Sequence, residues 1–141
     1  MRIAVVDGQG GGIGKAVVEK LREAFGNNID ILALGTNAMA ASVMMKAGAN
    51  ECASGENAVV VNSAKVDFIV GSVAVIAADA MLGELTPLMA RAIAGSDAKK
   101  VLIPLNKCGI LVAGINSLPL PHYINDVIEL IKKETGDVDN V

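Results

Sequence analysis

Hydrophobic positions along the chain occur in short runs, and their spacing alternates between that of strands and that of helices. The run Arg2–Val6 predicts a first strand. Apolar residues at four-residue spacing then predict a first helix at about Ile13–Phe25. A second strand is predicted at Ile29–Leu34, and Asn37 is a suitable N-cap for a helix over Ala38–Ala47.

The middle of the chain continues this alternation with one ambiguous stretch. A short strand is predicted around Asn50–Ala53 and a clearer one at Phe68–Val70. Residues 55–65 fit either element, because three consecutive valines favour a strand whereas the alternation requires a helix. The next helix has an N-cap, a proline at its first position and a glycine that ends it: Thr86, Pro87 and Gly95.

The C-terminal third predicts a hairpin and a final helix. Residues 101–105 and 110–115 are apolar runs joined by four residues, which is the spacing of an antiparallel hairpin. The last helix begins near Pro121 and places five apolar residues on one face: Tyr123, Ile124, Val127, Ile128 and Ile131. Residues 137–141 are predicted to form a loose tail.

Alternating strands and helices predict an α/β fold in which one doubly wound, mostly parallel sheet carries helices on both faces. This is a Rossmann-like architecture, here with an antiparallel hairpin at one edge. A length of 141 residues predicts a single domain over residues 1–136. The core must be aliphatic, because only three aromatic residues are present: Phe25, Phe68 and Tyr123.

Composition and charge exclude several function classes. A net charge of −3 without a run of basic residues argues against a nucleic-acid partner. The most apolar segment, Phe68–Ala78, is too short to cross a bilayer, so no membrane association is expected. The N-terminal residues lack the pattern of a signal peptide, and we expect a cytoplasmic protein.

The most informative motif is a glycine-rich loop between the first strand and the first helix. Two common phosphate-loop spacings, G-x-G-x-x-G and the P-loop, do not fit, but G-x-x-x-G-x-G fits at Gly8, Gly12 and Gly14. This stretch, through GIGKAVVEKL, resembles the nucleotide loop of the short-chain dehydrogenases. Glycines let backbone N–H groups approach a phosphate at the positive end of a helix. The alternative is a turn that only packs the helix on the strand.

We therefore predict an adenine nucleotide, NAD or NADP, with its phosphates over the loop. The loop residues assigned to this site are Gly8, Gln9, Gly10, Gly11, Gly12, Ile13 and Gly14. Gly14 is expected mainly to allow close packing of helix and strand. Five further positions follow the strands that flank the loop: Gly35, Thr36, Asn37, Gly71 and Ser72. No acid for NAD and no arginine for NADP stands after the second strand, so a mononucleotide stays open.

The carboxylate of Asp7, just before the first glycine, would repel a phosphate unless it accepts loop N–H groups or holds magnesium, and an Asx-turn is the favoured role. The resemblance to short-chain dehydrogenases ends after about 25 residues. Their Tyr-x-x-x-Lys pair is missing, because Tyr123 is followed four residues later by Val127. Over most of its length the chain resembles an uncharacterised family of short bacterial Rossmann-like proteins that open with DGQGGGIG and carry a later LNKCG, which implies no activity.

Other chemistry-bearing residues are weaker candidates. Cys108, beside Lys107, is a candidate nucleophile or redox group, although both it and Cys52 are more simply small buried residues. His122 is expected at the surface. Glu84, near Asp79, is interpreted as a solvated acid in a first helical turn, with a general base or ribose partner as the alternative.

Two functions remain open on the sequence alone. The first is a nucleotide-using enzyme of unknown reaction, and the second is a non-catalytic nucleotide sensor or protein-interaction module. The helix over residues 38–49 has only Ser42 and Lys46 as polar side chains. A chain of this size cannot bury every side of such a helix, so we expect a homo-oligomer, in the first instance a dimer.

Overall fold

The computed structural model describes residues 1–105 and 108–136, which form a five-stranded parallel sheet flanked by helices. The strands are β1 Arg2–Asp7, β2 Asp30–Gly35, β3 Glu51–Ser54, β4 Phe68–Ser72 and β5 Lys99–Ile103. The helices are α1 Gly12–Phe25, α2 Ala38–Lys46, α3 Glu56–Asn62, α4 Pro87–Ala94 and α5 Leu120–Thr135. Two short 3-10 turns, Gly26–Asn28 and Val73–Ile76, complete the regular structure.

Successive side chains of the strands point to opposite faces of the sheet and build two cores. Ile3 and Val5 of β1 face one cluster, which buries side chains of α1, α2 and α5. Ala4 and Val6 face the other cluster, which buries side chains of α3 and α4. Continuous apolar strands covered on both faces are typical of a parallel sheet. The predicted doubly wound α/β class is confirmed.

The strand order β3-β2-β1-β4-β5 fixes the location of the site. The chain moves outward from β1 to β3 and then crosses back to β4, so the direction of winding reverses between β1 and β4. In open parallel sheets, ligands bind at the carboxyl ends of the two strands where this reversal occurs. The glycine-rich loop leaves β1 at that point.

The predicted antiparallel hairpin is wrong. β5 ends at Ile103, and Pro104 follows it with no N–H to donate to a ladder. Residues 110–115 form no strand, and Gly109 and Gly114 hold positive φ angles of 77° and 82°, which an extended strand does not accommodate. The intended turn includes residues 106 and 107, which lie outside the described residues, as does the predicted tail 137–141.

The ambiguous segment 55–65 contains a helix, α3, so position in the alternation decides over the local preference of valine. The predicted N-caps of α2 and α4 are confirmed, because Asn37 accepts from the N–H of Ala40 and Thr86 from that of Met89. Within the described ranges, no helix is both long enough and apolar enough to span a membrane.

Candidate functional site

The candidate site is a crevice of about 550 Å³ at the carboxyl ends of β1 and β4. The polar part of its wall comes from the glycine-rich loop, residues 7–12, and from Ser72 at the end of β4. The apolar part comes from several elements: Ile13, Ala74, Met81, Leu82, Leu105 and Leu120. The sequence did not single out Met81, Leu82, Leu105 or Leu120 as site residues, because only the fold brings these parts of the chain together.

Asp7 holds the loop in shape from inside. This carboxylate is 8% exposed, and its two oxygens accept the N–H groups of Gly8 and Gly14, each at 2.7 Å. The N–H of Gly11 also donates to the carbonyl of Gly8 at 2.9 Å, which closes a tight turn. The side chain therefore binds loop N–H groups, the role favoured by its position before the first glycine.

The glycines of the loop have different structural reasons. Gly11 adopts a positive φ of 75°, and a Cβ there would lie 3.0 Å from Cα of Ala40 in α2. A Cβ on Gly14 would meet Asp7 Cβ at 2.9 Å and the side chain of Met44, so this glycine allows α1 to pack closely. A Cβ on Gly10 or Gly12 would have open space, because both positions face the crevice.

Three backbone N–H groups of the loop are available to a ligand. Within the chain as described, the N–H groups of Gly10, Gly12 and Ile13 have no hydrogen-bond acceptor, whereas those of their neighbours do. Gly12 and Ile13 open α1, where the helix dipole places partial positive charge. The loop can therefore bind a phosphate or another oxyanion.

Glu84 ties the loop to the end of β2. Its Oε1 accepts hydrogen bonds from the N–H of Gln9 at 2.9 Å, the Thr36 hydroxyl at 2.8 Å and the Asn37 amide at 2.8 Å. The backbone bond from Gln9, followed by those from Thr36 and Asn37, lowers the pKa of this carboxyl. Glu84 thus lies before the N-cap of α4 rather than in a first helical turn, and one oxygen of its partly exposed carboxylate is bonded to the protein.

The other positions assigned to the site lie at the ends of β2 and β4. Thr36 and Asn37 bond to Glu84. Gly35 leaves room for the backbone of α2, because a Cβ added there would lie 2.6 Å from Ala41 N. Ser72 lines the crevice. Gly71 lies within β4, where a Cβ would come 2.9 Å from the carbonyl oxygen of Val6.

The cysteines and the histidine lie apart from one another. Cys52 is exposed on β3 at one edge of the sheet, and Cys108 follows β5 at the other, half-buried against the core under α3 and α4. His122 is exposed in the first turn of α5, and Lys107 lies outside the described residues. In the described part of the chain, no three potential metal ligands come together.

In fold, the chain is similar to the crystal structure of a dodecameric FMN-dependent UbiX-like decarboxylase from Escherichia coli O157:H7. The two share 13% sequence identity and a TM-score of 0.52, and the match covers 96% of this chain and 95% of that chain. A comparison with curated proteins found no match.

The predicted NAD or NADP cofactor is wrong. The protein with the similar structure is described as FMN-dependent, not as dependent on NAD or NADP. The geometry at the end of β2 also argues against a dinucleotide, because a dinucleotide places its adenosine ribose at the end of the second strand. There the side chains of Thr36 and Asn37, which the sequence assigned to the cofactor site, already bond to Glu84.

The family relationship covers nearly the whole chain. Residues 2–136 match the family described as Domain of unknown function (DUF3842), a range that runs from the start of β1 to the end of α5. The chain therefore belongs to that family.

Proposed function

We propose that the chain binds flavin mononucleotide in the crevice between β1 and β4, with the phosphate on the loop Gly10–Ile13. The observation that carries this proposal is the set of three N–H groups that have no acceptor in the described chain and that all line the crevice. A phosphate monoester has the charge and the acceptor oxygens to satisfy them.

The apolar wall suits a flat ring. Met81 and Leu82 come from the segment after β4, and Leu105 and Leu120 flank the chain after β5, so apolar side chains face the crevice from two directions. Ligand sites typically combine such an apolar lining with a few fixed polar groups. The volume of about 550 Å³ is within the range of small-molecule sites.

The lining offers little acid–base chemistry of its own. Asp7 is the one titratable side chain among the described lining residues, and its oxygens already accept two loop N–H groups. A bound flavin would itself supply the electron-transfer chemistry. The residues of this chain would bind the phosphate, orient the ring and exclude water.

The proposal is tested by titrating FMN with the protein and following the quenching of flavin fluorescence. Gly12→Asp puts a carboxylate at the first position of α1, inside the crevice, and we expect it to weaken binding at least about 100-fold. Ala38→Asp is the matched control, because it adds the same group at the exposed first position of α2. Both acids suit a helix N-terminus, so neither should reduce stability. Absence of FMN binding by the wild type would refute the proposal and favour a protein-interaction role.

We also propose that the chain forms a homodimer through α2. Met39 and Met45 on this helix are 66% and 38% exposed, although Ala40, Ala41 and Met44 are buried against the sheet. Exposed methionines beside exposed Cys52 on the edge strand β3 make an apolar surface that a second copy would cover.

A further inference from the structure

The segment that follows β4 folds back over the glycine-rich loop. Between Ala77 and Thr86 it is closed by its own backbone hydrogen bonds, including Asp79 N–H to Leu85 O at 2.8 Å and Leu85 N–H to Ala80 O at 3.1 Å. Asp79, Met81 and Leu82 have positive φ angles of 57–66°, which is uncommon for residues other than glycine. Leu85 is fully buried, so the segment is anchored beneath its turn.

The tip of this segment fills the gap between the ends of β1 and β2. A Cβ built on Gly8 would lie 2.5 Å from Thr36 Oγ1, 2.6 Å from Met81 Sδ and 3.2 Å from Glu84 Oε1. The crevice is consequently open on the β4 side of the loop. On the β2 side the crevice is closed by the carboxylate of Glu84 and the side chain of Met81.

We infer that Glu84 is a specificity-determining residue that restricts this site to mononucleotide flavins. It excludes ligands in which a pyrophosphate carries a second nucleoside over β2. This inference rests on the proposed binding of a flavin at the loop.

The exclusion has a steric and an electrostatic part. FMN and FAD share the ring and the first phosphate, and FAD adds a second phosphate with an adenosine. In a doubly wound sheet, that second half lies across the reversal point, beyond the end of the second strand. Glu84 occupies this place with a negative charge, and its bonds use Gln9 N–H, Thr36 and Asn37, groups that would otherwise face the second phosphate and the ribose.

The test measures the dissociation constants of FMN and FAD for the wild type, Glu84→Ala and Glu84→Gln. We expect the wild type to prefer FMN by at least about 100-fold, and Glu84→Ala to reduce that preference about tenfold, mainly by binding FAD more tightly. Glu84→Gln keeps the shape and an accepting oxygen but removes the charge, so its preference should lie between those of the wild type and Glu84→Ala, which separates the steric part from the electrostatic part. A change in the ratio of the two constants separates specificity from a general loss of structure.

The outcomes distinguish the two levels of the proposal. If the wild type binds neither flavin, the proposed function is wrong. If it binds both equally, or if Glu84→Ala leaves the ratio unchanged, flavin binding stands and the role of Glu84 is refuted. Should Glu84→Ala fail to fold, Thr36→Val removes one of the three donors at nearly constant shape. A smaller fall in the ratio then supports the inference, and an unchanged ratio overturns it.

Discussion

At the scale of single residues, the loop depends on a contact between a carboxylate and a glycine. Asp7 accepts the N–H of Gly14 at 2.7 Å, which draws the first turn of α1 against the end of β1. This close approach leaves no room for a side chain at position 14 of α1, because Met44 of α2 lies on the other side of Gly14.

We therefore expect Gly14→Ala to destabilise the protein by about 2 kcal/mol, although alanine has the higher helix propensity. The added Cβ would press on Asp7 Cβ at 2.9 Å and on Met44. Gly12→Ala, two residues earlier in the same turn, meets nothing within 4 Å and serves as the control. Urea unfolding compares the two variants, and an equal stability for both would contradict the packing role of Gly14.

Glu84 also gives stability a dependence on pH. Its folded-state pKa is lowered by the bonds from Gln9, Thr36 and Asn37, so the charged form is favoured in the native state. The contribution is present above the unfolded-state pKa and is lost as pH falls through the lower, folded-state pKa.

Between about pH 6 and about pH 3, the free energy of unfolding of the wild type should therefore fall more steeply than that of Glu84→Gln, which cannot titrate at this position. Chemical denaturation at a series of pH values measures both slopes. The other carboxyl groups titrate in both proteins, so parallel slopes would show that the bonds of Glu84 do not favour its charged form.

At the scale of elements, one arginine connects three segments at the end of the sheet opposite the candidate site. The guanidinium of Arg22 in α1 donates to the carbonyls of Gly26 and Ile29, and on its other side to the carbonyl of Gly48 and to Asn50 Oδ1. It thereby connects the end of α1 to the start of β2 and to the turn between α2 and β3.

Arg22→Lys should cost about 2 kcal/mol of stability, because an ammonium group cannot reach these separated acceptors in place of a planar fork. Lys20→Met on the same helix removes only an exposed ion pair with Glu23 at 3.4 Å and should cost less than about 0.5 kcal/mol. Thermal unfolding compares both with the wild type. If Arg22→Lys unfolds at the same temperature as the wild type, the bonds of Arg22 between these segments do not stabilise the fold.

Local sequence predicts some features of these elements and not others. The buried face of α5 follows from helical spacing, and the caps Asn37 and Thr86 follow from local chemistry. Glu84 does not, because its three partners lie 47 to 75 residues away and no local pattern encodes them. The apolar run 110–115 fits the pattern of a strand, but the structure exposes its residues after Ile110 and forms no strand there. The prediction fails because apolar character alone does not report burial.

At the scale of the whole molecule, two groups of exposed apolar side chains lie at the two edges of the sheet. Met39 and Met45 lie on α2 beside β3. Beyond β5, every residue from Leu111 to Pro119 is exposed, with Leu111 at 86% and Ile115 at 50%. Surfaces of this kind commonly mark contacts between protein chains.

Static light scattering at micromolar concentration should give the mass of at least a dimer for the wild type. Met39→Glu combined with Met45→Glu should shift the population toward smaller species, because a contact between copies would bury the new charges. Val61→Glu, at an exposed valine on α3, is the control and should leave the mass unchanged. A monomeric wild type would contradict the proposed assembly.

The placement of the two apolar edges has a consequence for symmetry. If the α2 surface pairs with its own copy about a two-fold axis, the contact is self-complementary and growth through that surface stops at two chains. The surface beyond β5 then remains on both outer ends of the pair. If it too pairs with itself, the same chain acquires a second, independent axis, and dimers join into a closed higher assembly or a filament according to the angle between the axes.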